Sequence, residues 1–396
     1  MSLSTKLAQA FSAESAFSVT TGCDEASPSL LSLTFHGEPL QVKGISEVTP
    51  PELTPGLVPP NSTTPHWQHD EHGCYPGLFD ASQPMAVSVT LDADGLALDE
   101  YELLGVSRQG GIVCNESTLT SATTFRCTLQ AYSTAAGISA WTMEWALRKK
   151  GTLEHFIIGS CDINLIFAWG RPCGRWTGKA VWYEALWVAL GRCGSNRQKT
   201  QKLCLGAIVD GLVQSDGLRY DTLMGAAGCG WTPLEDTPAP FNLAKFIQVE
   251  AGVFNKTGFY EISPGVMGMR MPVSVSCYDL SAGLCLLGCA LGLNMEVIMM
   301  GNPDSSSSTV TMSIRDDLRA VGFLTSHSTV GAFATHVCTR FAGEIYDAVM
   351  SPVDTDGVHP LFGLSATAYF TATVSSSTQR ARLPSTIRTL ALPFDA

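Results

Sequence analysis

The sequence predicts a mainly β protein: a β-sandwich or jelly-roll-like core with long loops and a small helical insertion. Three observations carry that expectation. Short runs rich in Val, Ile, Thr, Phe, Tyr and Trp, several of them alternating with polar residues, recur along the chain. Clusters of Gly, Pro, Asn, Asp and Ser separate them. Stretches with a 3.6-residue apolar period are few.

Taken in order, residues 4–17 place Leu7 and Phe11 among small residues, the pattern of a short amphipathic helix. SLLSLTF at 29–35 reads as a first strand. Residues 47–65 hold six prolines, so they form an extended arm or a long loop. MAVSVTL at 85–91 alternates, DADG at 92–95 makes a turn, and 96–104 resumes the pattern; the pair predicts a hairpin. Residues 118–133 and 138–147 give two more strands, and 157–169 either a strand pair or one buried strand. Residues 203–213 are apolar and ambiguous, and Gly and Pro punctuate 226–240 as loop. Strand character returns at 246–260 and 266–277. Residues 284–300 are expected to pair with 308–314 across GNPDSSS. A helix is expected at 340–350, a last strand at 365–374 (SATAYFTATV) and a polar tail beyond it.

The densest stretch runs from Trp141 to Leu205 and holds six of the eight tryptophans. Between Arg148 and Lys202, ten basic residues face three acidic ones, so this window is +7 while the whole chain is −12. Within it, GKAVWYEALWVALG at 178–191 reads as a helix with Trp182 and Trp187 in the core, because it has almost no polar face. Thr177 can cap it and Gly191 can stop it. GRCGSNRQKTQK at 191–202 has no apolar period and carries Arg192, Arg197, Lys199 and Lys202. It is either a solvated loop or a contact for nucleic acid or an acidic partner.

Composition narrows the classes of function. The chain has 396 residues, enough for two domains or one large one. The expected organisation is an N-terminal segment at 1–80, with the Pro-rich arm at 47–65, then a β-rich shell-type domain at 81–396 with a helical insertion at about 176–205. Only 15% of residues are charged, against a usual ~25%. A surface of Ser, Thr, Ala and Gly favours association. The negative net charge argues against a dedicated nucleic-acid binder. Residues 1–17 lack the apolar run of a signal peptide, and the most hydrophobic run, 282–293, is too short to span a membrane. Thirteen cysteines without a CxxC or a regular framework read as reduced thiols, mostly buried.

The sequence has no nucleophile elbow, Walker loop, dinucleotide fingerprint, HExxH or kinase signature. PHWQHDEHGC at 65–74 gathers His66, His69 and His72 with Asp70, Glu71 and Cys74. These atoms suit zinc, the one cofactor the sequence suggests, although a metal-free surface His cluster fits as well. The expectation that follows is a structural, self-assembling protein without enzymatic activity, most simply a viral capsid or outer-shell protein. Its partners would be copies of itself, other shell proteins and packaged RNA, in a virion or the host cytoplasm. The lack of a basic N-terminal arm points to a double-stranded RNA virus shell. The alternatives are a β-sandwich enzyme or carbohydrate-binding protein using the His66 cluster, and a cellular scaffold protein.

Overall fold

The computed structural model describes residues 28–36, 42–43, 66–68, 77–80, 83–93, 95–108, 112–131, 136–192, 200–214, 218–221, 228–231, 239–250, 259–263, 266–269, 273–301, 312–321, 331–354 and 356–394. The fold is mainly β, with helices as the minority element. The chain divides into two compact units. The first comprises 1–41, 56–134 and 138–167; the second comprises 42–55, 135–137 and 168–396. The expected helix at 4–17 and the Pro-rich arm at 47–65 lie outside the described residues.

The first unit is built on one nine-stranded sheet. Its strands are β1 (Ser29–His36), β2 (His66–Gln68), β3 (Gly77–Asp80), β4 (Met85–Asp92), β5 (Tyr101–Ser107), β6 (Ile112–Leu119), β7 (Thr124–Ala131), β8 (Gly137–Lys149) and β9 (His155–Ala168). Their order across the sheet is β2-β1-β4-β7-β6-β5-β8-β9-β3. Strand β4 buries every second residue, Met85, Val87, Val89 and Leu91, because successive side chains point to opposite faces. Those residues join Leu33, Phe35, Phe125, Leu129, Trp145 and Ile163 in one apolar core.

Strands at 85–91 and 138–147 are found as expected, and 157–169 lies within one long strand with Trp169 just past its end. The hairpin at 85–104 is not found. Strand β4 pairs with β1 and β7, and β5 pairs with β6 and β8. The stretch from Ala93 to Glu100 includes a 3₁₀ turn at Leu98–Glu100 and carries the chain past the intervening strands.

Among the described residues the α-helices lie in the second unit. They are α1 (Tyr183–Arg192), α2 (Gln201–Val213), α3 (Leu243–Glu250), α4 (Cys277–Ala290) and α5 (Ala366–Thr373), with a further short helix at Ser377–Arg382. A short strand β10 (Leu218–Tyr220) runs parallel to β11 (Val273–Val275), which leads directly into α4. The main sheet consists of β12 (Glu296–Gly301), β13 (Thr335–Phe341), β14 (Glu344–Asp347), β15 (Leu361–Leu364) and β16 (Arg388–Thr389), in the antiparallel order β15-β14-β13-β12-β16.

Helix α4 is the central element. Every residue but Tyr278 is buried. It packs on β13, α1, α2, α3 and the 3₁₀ turn Gly174–Trp176. Its N-terminus is closed by a capping box: Ser276 accepts from the Asp279 N–H, and the Asp279 side chain accepts from the Ser276 N–H. Its C-terminus closes with Gly292 N–H donating to Cys289 O at 3.1 Å and Leu293 N–H to Gly288 O at 3.0 Å, with Gly292 at φ +80°.

Four other expectations in this unit are corrected. The hairpin at 284–314 is absent, because 284–290 belongs to α4 and β12 pairs with β13 and β16. An apolar run with no polar face fits a buried helix as well as a buried strand, and the capping box decides for the helix. The strand at 365–374 is helix α5, capped by Ser365 and burying Tyr369, Phe370 and Thr373 at helical spacing. In place of the helix at 340–350, β13 ends, turns at Ala342 and Gly343, both at positive φ, and returns as β14. The strand expected from 246 begins instead as helix α3.

The Trp-rich helix begins later than its sequence suggests. Val181–Trp182 is a short parallel strand beside Val42–Lys43, and the helix starts at Tyr183. Trp182 is buried, while Trp187 is only half-buried. Trp176, fully buried, sits at the aromatic centre instead. It meets Trp182 at 5.8 Å and Phe394 at 5.0 Å between ring centroids, and its Nε1–H donates to Leu286 O at 2.9 Å.

Ten cysteines are described; all are free thiols and nine are buried. Among the described residues no helix is long and apolar enough to cross a membrane.

Candidate active site

The capping box fixes which side chain opens helix α4. Ser276 and Asp279 lock the first turn, so Cys277 becomes its first residue and its sulfur sits at the positive end of the helix. The Asp279 carboxylate also accepts from Gly228 N–H at 2.8 Å and Cys229 N–H at 3.1 Å. That ties the 228–231 segment to the start of the helix, where Trp231 meets Tyr278 edge-on at 6.2 Å. Burial pushes the Asp279 carboxyl up, against the downward pull of these hydrogen bonds.

Two neighbouring strands supply the partners. His336 lies on β13 and Asp347 ends β14, brought side by side by the pairing Thr339↔Tyr346. Both side chains have zero solvent exposure. His336 Nε2 and Asp347 Oδ2 are 3.0 Å apart, so with an ionised Asp347 the nitrogen is the donor. Val349 N–H donates to the other oxygen, Oδ1, at 2.8 Å, and the Tyr369 hydroxyl donates to Oδ2 at 2.6 Å. The carboxylate is thus held by three donors from three places in the fold.

That arrangement leaves His336 Nδ1 for other work. It is buried and, among the described residues, has no hydrogen-bond partner. The Cys277 sulfur lies close enough to the imidazole to affect its protonation. Burial pushes the imidazole down, but the Asp347 charge, its hydrogen bond and the nearby Cys277 sulfur outweigh it and raise His336 to about 10. Phe333 lies over the imidazole, with centroids 4.9 Å apart and planes at 31°, and Tyr220 meets Phe333 edge-on at 6.1 Å. Burial first, and then the neighbouring Cys277, push the Tyr220 phenol well up, so it stays protonated. Cysteine, histidine and aspartate are thus gathered in the way a nucleophile, a base and an orienting carboxylate would need.

The side chains singled out in the sequence lie elsewhere. His66 is on β2 in the first unit, and His69 and His72 are outside the described residues. Among the described residues no group of three or more His, Cys, Asp or Glu stands together as a metal site. Arg192 ends α1, and Arg197 and Lys199 are outside the described residues. Lys202 lies in α2 and not in the loop, because Thr200 caps that helix from the residue before it. It bonds to Glu344 Oε1 and Gly363 O, each at 2.9 Å, and so ties α2 to the main sheet.

Cys277, His336 and Asp347 form no sequence motif, since they are 59 and 11 positions apart. One local signal was present. Ser276-Cys-Tyr-Asp279 ahead of an apolar run is a capping box, and it marks Cys277 as a helix-opening thiol.

No family model matches the chain, and no curated protein matches it. Among solved structures it is similar to the red sea bream transglutaminase, at 10% identity and a TM-score of 0.40, over 73% of this chain and 53% of that one. The chain therefore spans about half the length of that protein, and the likeness is too distant to carry a conclusion.

Proposed function

We propose that the second unit is a thiol-dependent acyl-transfer enzyme. The observation that carries this reading is Cys277 at the start of α4 beside a buried, fully oriented His336–Asp347 pair. His336 Nδ1 takes the proton from the Cys277 sulfur. The sulfur attacks the carbonyl carbon of an ester or amide, and the C=O π-electrons move to oxygen. The Cys277 and Tyr278 N–H groups at the start of α4 are the donors this reading assigns to that oxyanion. His336 then gives its proton to the leaving alcohol or amine, and the thioester forms as the C–O or C–N bond breaks. An incoming water or amine, deprotonated by His336, releases the acyl group and restores the thiol. Asp347 keeps its proton balance throughout; its task is to hold the ring.

p-Nitrophenyl acetate tests this without knowledge of the natural substrate. Wild-type protein should release a burst of nitrophenol and carry one acetyl group on Cys277 by peptide mass spectrometry. Cys277→Ala should carry none there, and His336→Ala should acetylate slower by about 10²–10⁴-fold. Equal labelling of wild type and His336→Ala would overturn the assignment.

Self-assembly into a shell is a separate proposal that the triad neither requires nor opposes. It is supported by the low charge content and by large apolar side chains exposed on the first unit: Leu153 at 89%, Ile157 at 49%, Leu31 at 40% and Phe156 at 37%. The virion setting and an RNA cargo rest on composition alone. Analytical ultracentrifugation at micromolar concentration should show a concentration-dependent assembly, and a lone monomer would end this reading.

A further inference from the structure

The three donors on Asp347 are not equivalent. Val349 N–H holds Oδ1, the oxygen that faces away from the histidine. The Tyr369 hydroxyl and His336 Nε2 share the single oxygen Oδ2. Tyr369 comes from α5, is fully buried, and is held in place by the helix that Ser365 caps. We infer that Tyr369 is a positioning residue that limits the grip of Asp347 on the Nε2 proton of His336, and so keeps that histidine able to act as an acid. This inference rests on the acyl-transfer reading above.

Tyr369 and His336 share the charge of one carboxylate oxygen. A short hydrogen bond from a phenol withdraws density from the oxygen it reaches. Less negative charge on Oδ2 remains to hold the imidazolium. An imidazolium held too tightly is a poor proton donor to a leaving group. The geometry lets the two tasks be separated. Val349 N–H and the surrounding burial keep the carboxylate oriented even without the phenol, so removing the hydroxyl alters charge and leaves direction intact. Burial first, and then the Asp347 charge, push the Tyr369 phenol far upward, which keeps it a donor. The other titratable groups around the His336–Asp347 pair are Cys277 on α4, Cys338 on β13 and Tyr220 on β10; among the described residues only Tyr369 joins His336 on the oxygen that the histidine uses.

The test uses the full chain and iodoacetamide, with the modified peptide identified at each pH. In wild type, Cys277 should alkylate faster at neutral pH than the half-exposed Cys173, and its rate should change again as His336 loses its proton in the alkaline range. In Tyr369→Phe that alkaline step should move upward by about half a pH unit or more. Site-specific 3-fluorotyrosine at 369, a stronger donor in nearly the same volume, should move it downward. Thr373→Val removes a hydroxyl bound to Tyr369 O in the same helix and does not touch Asp347. It should leave the step in place. Superimposable profiles for wild type, Tyr369→Phe and the fluorinated protein would overturn the inference, as would an equal shift in Thr373→Val. Should Tyr369→Phe fail to fold, the fluorinated protein alone decides. A Cys277 no faster than Cys173 in wild type would instead overturn the acyl-transfer reading itself.

Discussion

Replacing Asp347 by Asn should slow acetylation of Cys277 by about four orders of magnitude at neutral pH, the scale seen when the buried carboxylate of a Ser-His-Asp triad becomes an amide. The reason lies in which atom the amide presents. Val349 N–H donates to Oδ1, so the amide oxygen must remain there and the NH₂ must take the place of Oδ2. That NH₂ faces His336 Nε2, which can then only accept. The remaining ring proton moves to Nδ1, where it blocks proton removal from the thiol. The substitution also leaves the Tyr369 hydroxyl opposite a donor. Stability should change its pH dependence in step. His336 is raised in the folded chain, from 6.5 to about 10. The stability it contributes is therefore complete below about pH 6.5 and is lost as pH rises through about 10. Urea unfolding across that range should show this slope in wild type and lose it in Asp347→Asn. A variant that keeps both its rate and its slope would remove Asp347 from the mechanism.

Gly292→Ala should destabilise the second unit by on the order of 4 kcal/mol, at the upper end for single substitutions. Gly292 ends α4 in the left-handed region, where a side chain costs about 1–2 kcal/mol. A Cβ there would also press into the Gly170 carbonyl carbon and lie 2.5 Å from its oxygen and 2.7 Å from its Cα. The obstacle is backbone, pinned by Trp169 N–H donating to Leu291 O at 2.9 Å, and no rotamer change relieves it. Thermal unfolding should shift down by roughly 10 °C. A shift within error of wild type would mean that the two segments separate cheaply.

The strands of the first unit were legible in the sequence because each buries one face. Residues 85–91 alternate for that reason, and the structure keeps the alternation. What alternation cannot encode is which strand lies next to which, so the DADG turn suggested a hairpin that does not form. In the second unit the difficulty was one of period. Helix α4 is apolar on every side and has no stripe to read, and α5 mixes Thr and Ala with aromatics so that a helix resembles a strand. The site inherits that difficulty. Cys277 is recognisable only once α4 is known to begin there. His336 and Asp347 are single residues on two strands, and only the pairing of β13 with β14 sets them side by side.

Cys277 is also anchored to a helix buried along almost its whole length. Ser281, one turn along α4 from Cys277, donates to Val337 O at 2.9 Å, beside His336 on β13. The helix that carries the thiol and the strand that carries the imidazole are thereby latched together at the core. Elements this deeply packed open only when the whole unit opens. Thiol and imidazole therefore stay in register through smaller fluctuations, and the pair persists for as long as the second unit remains folded.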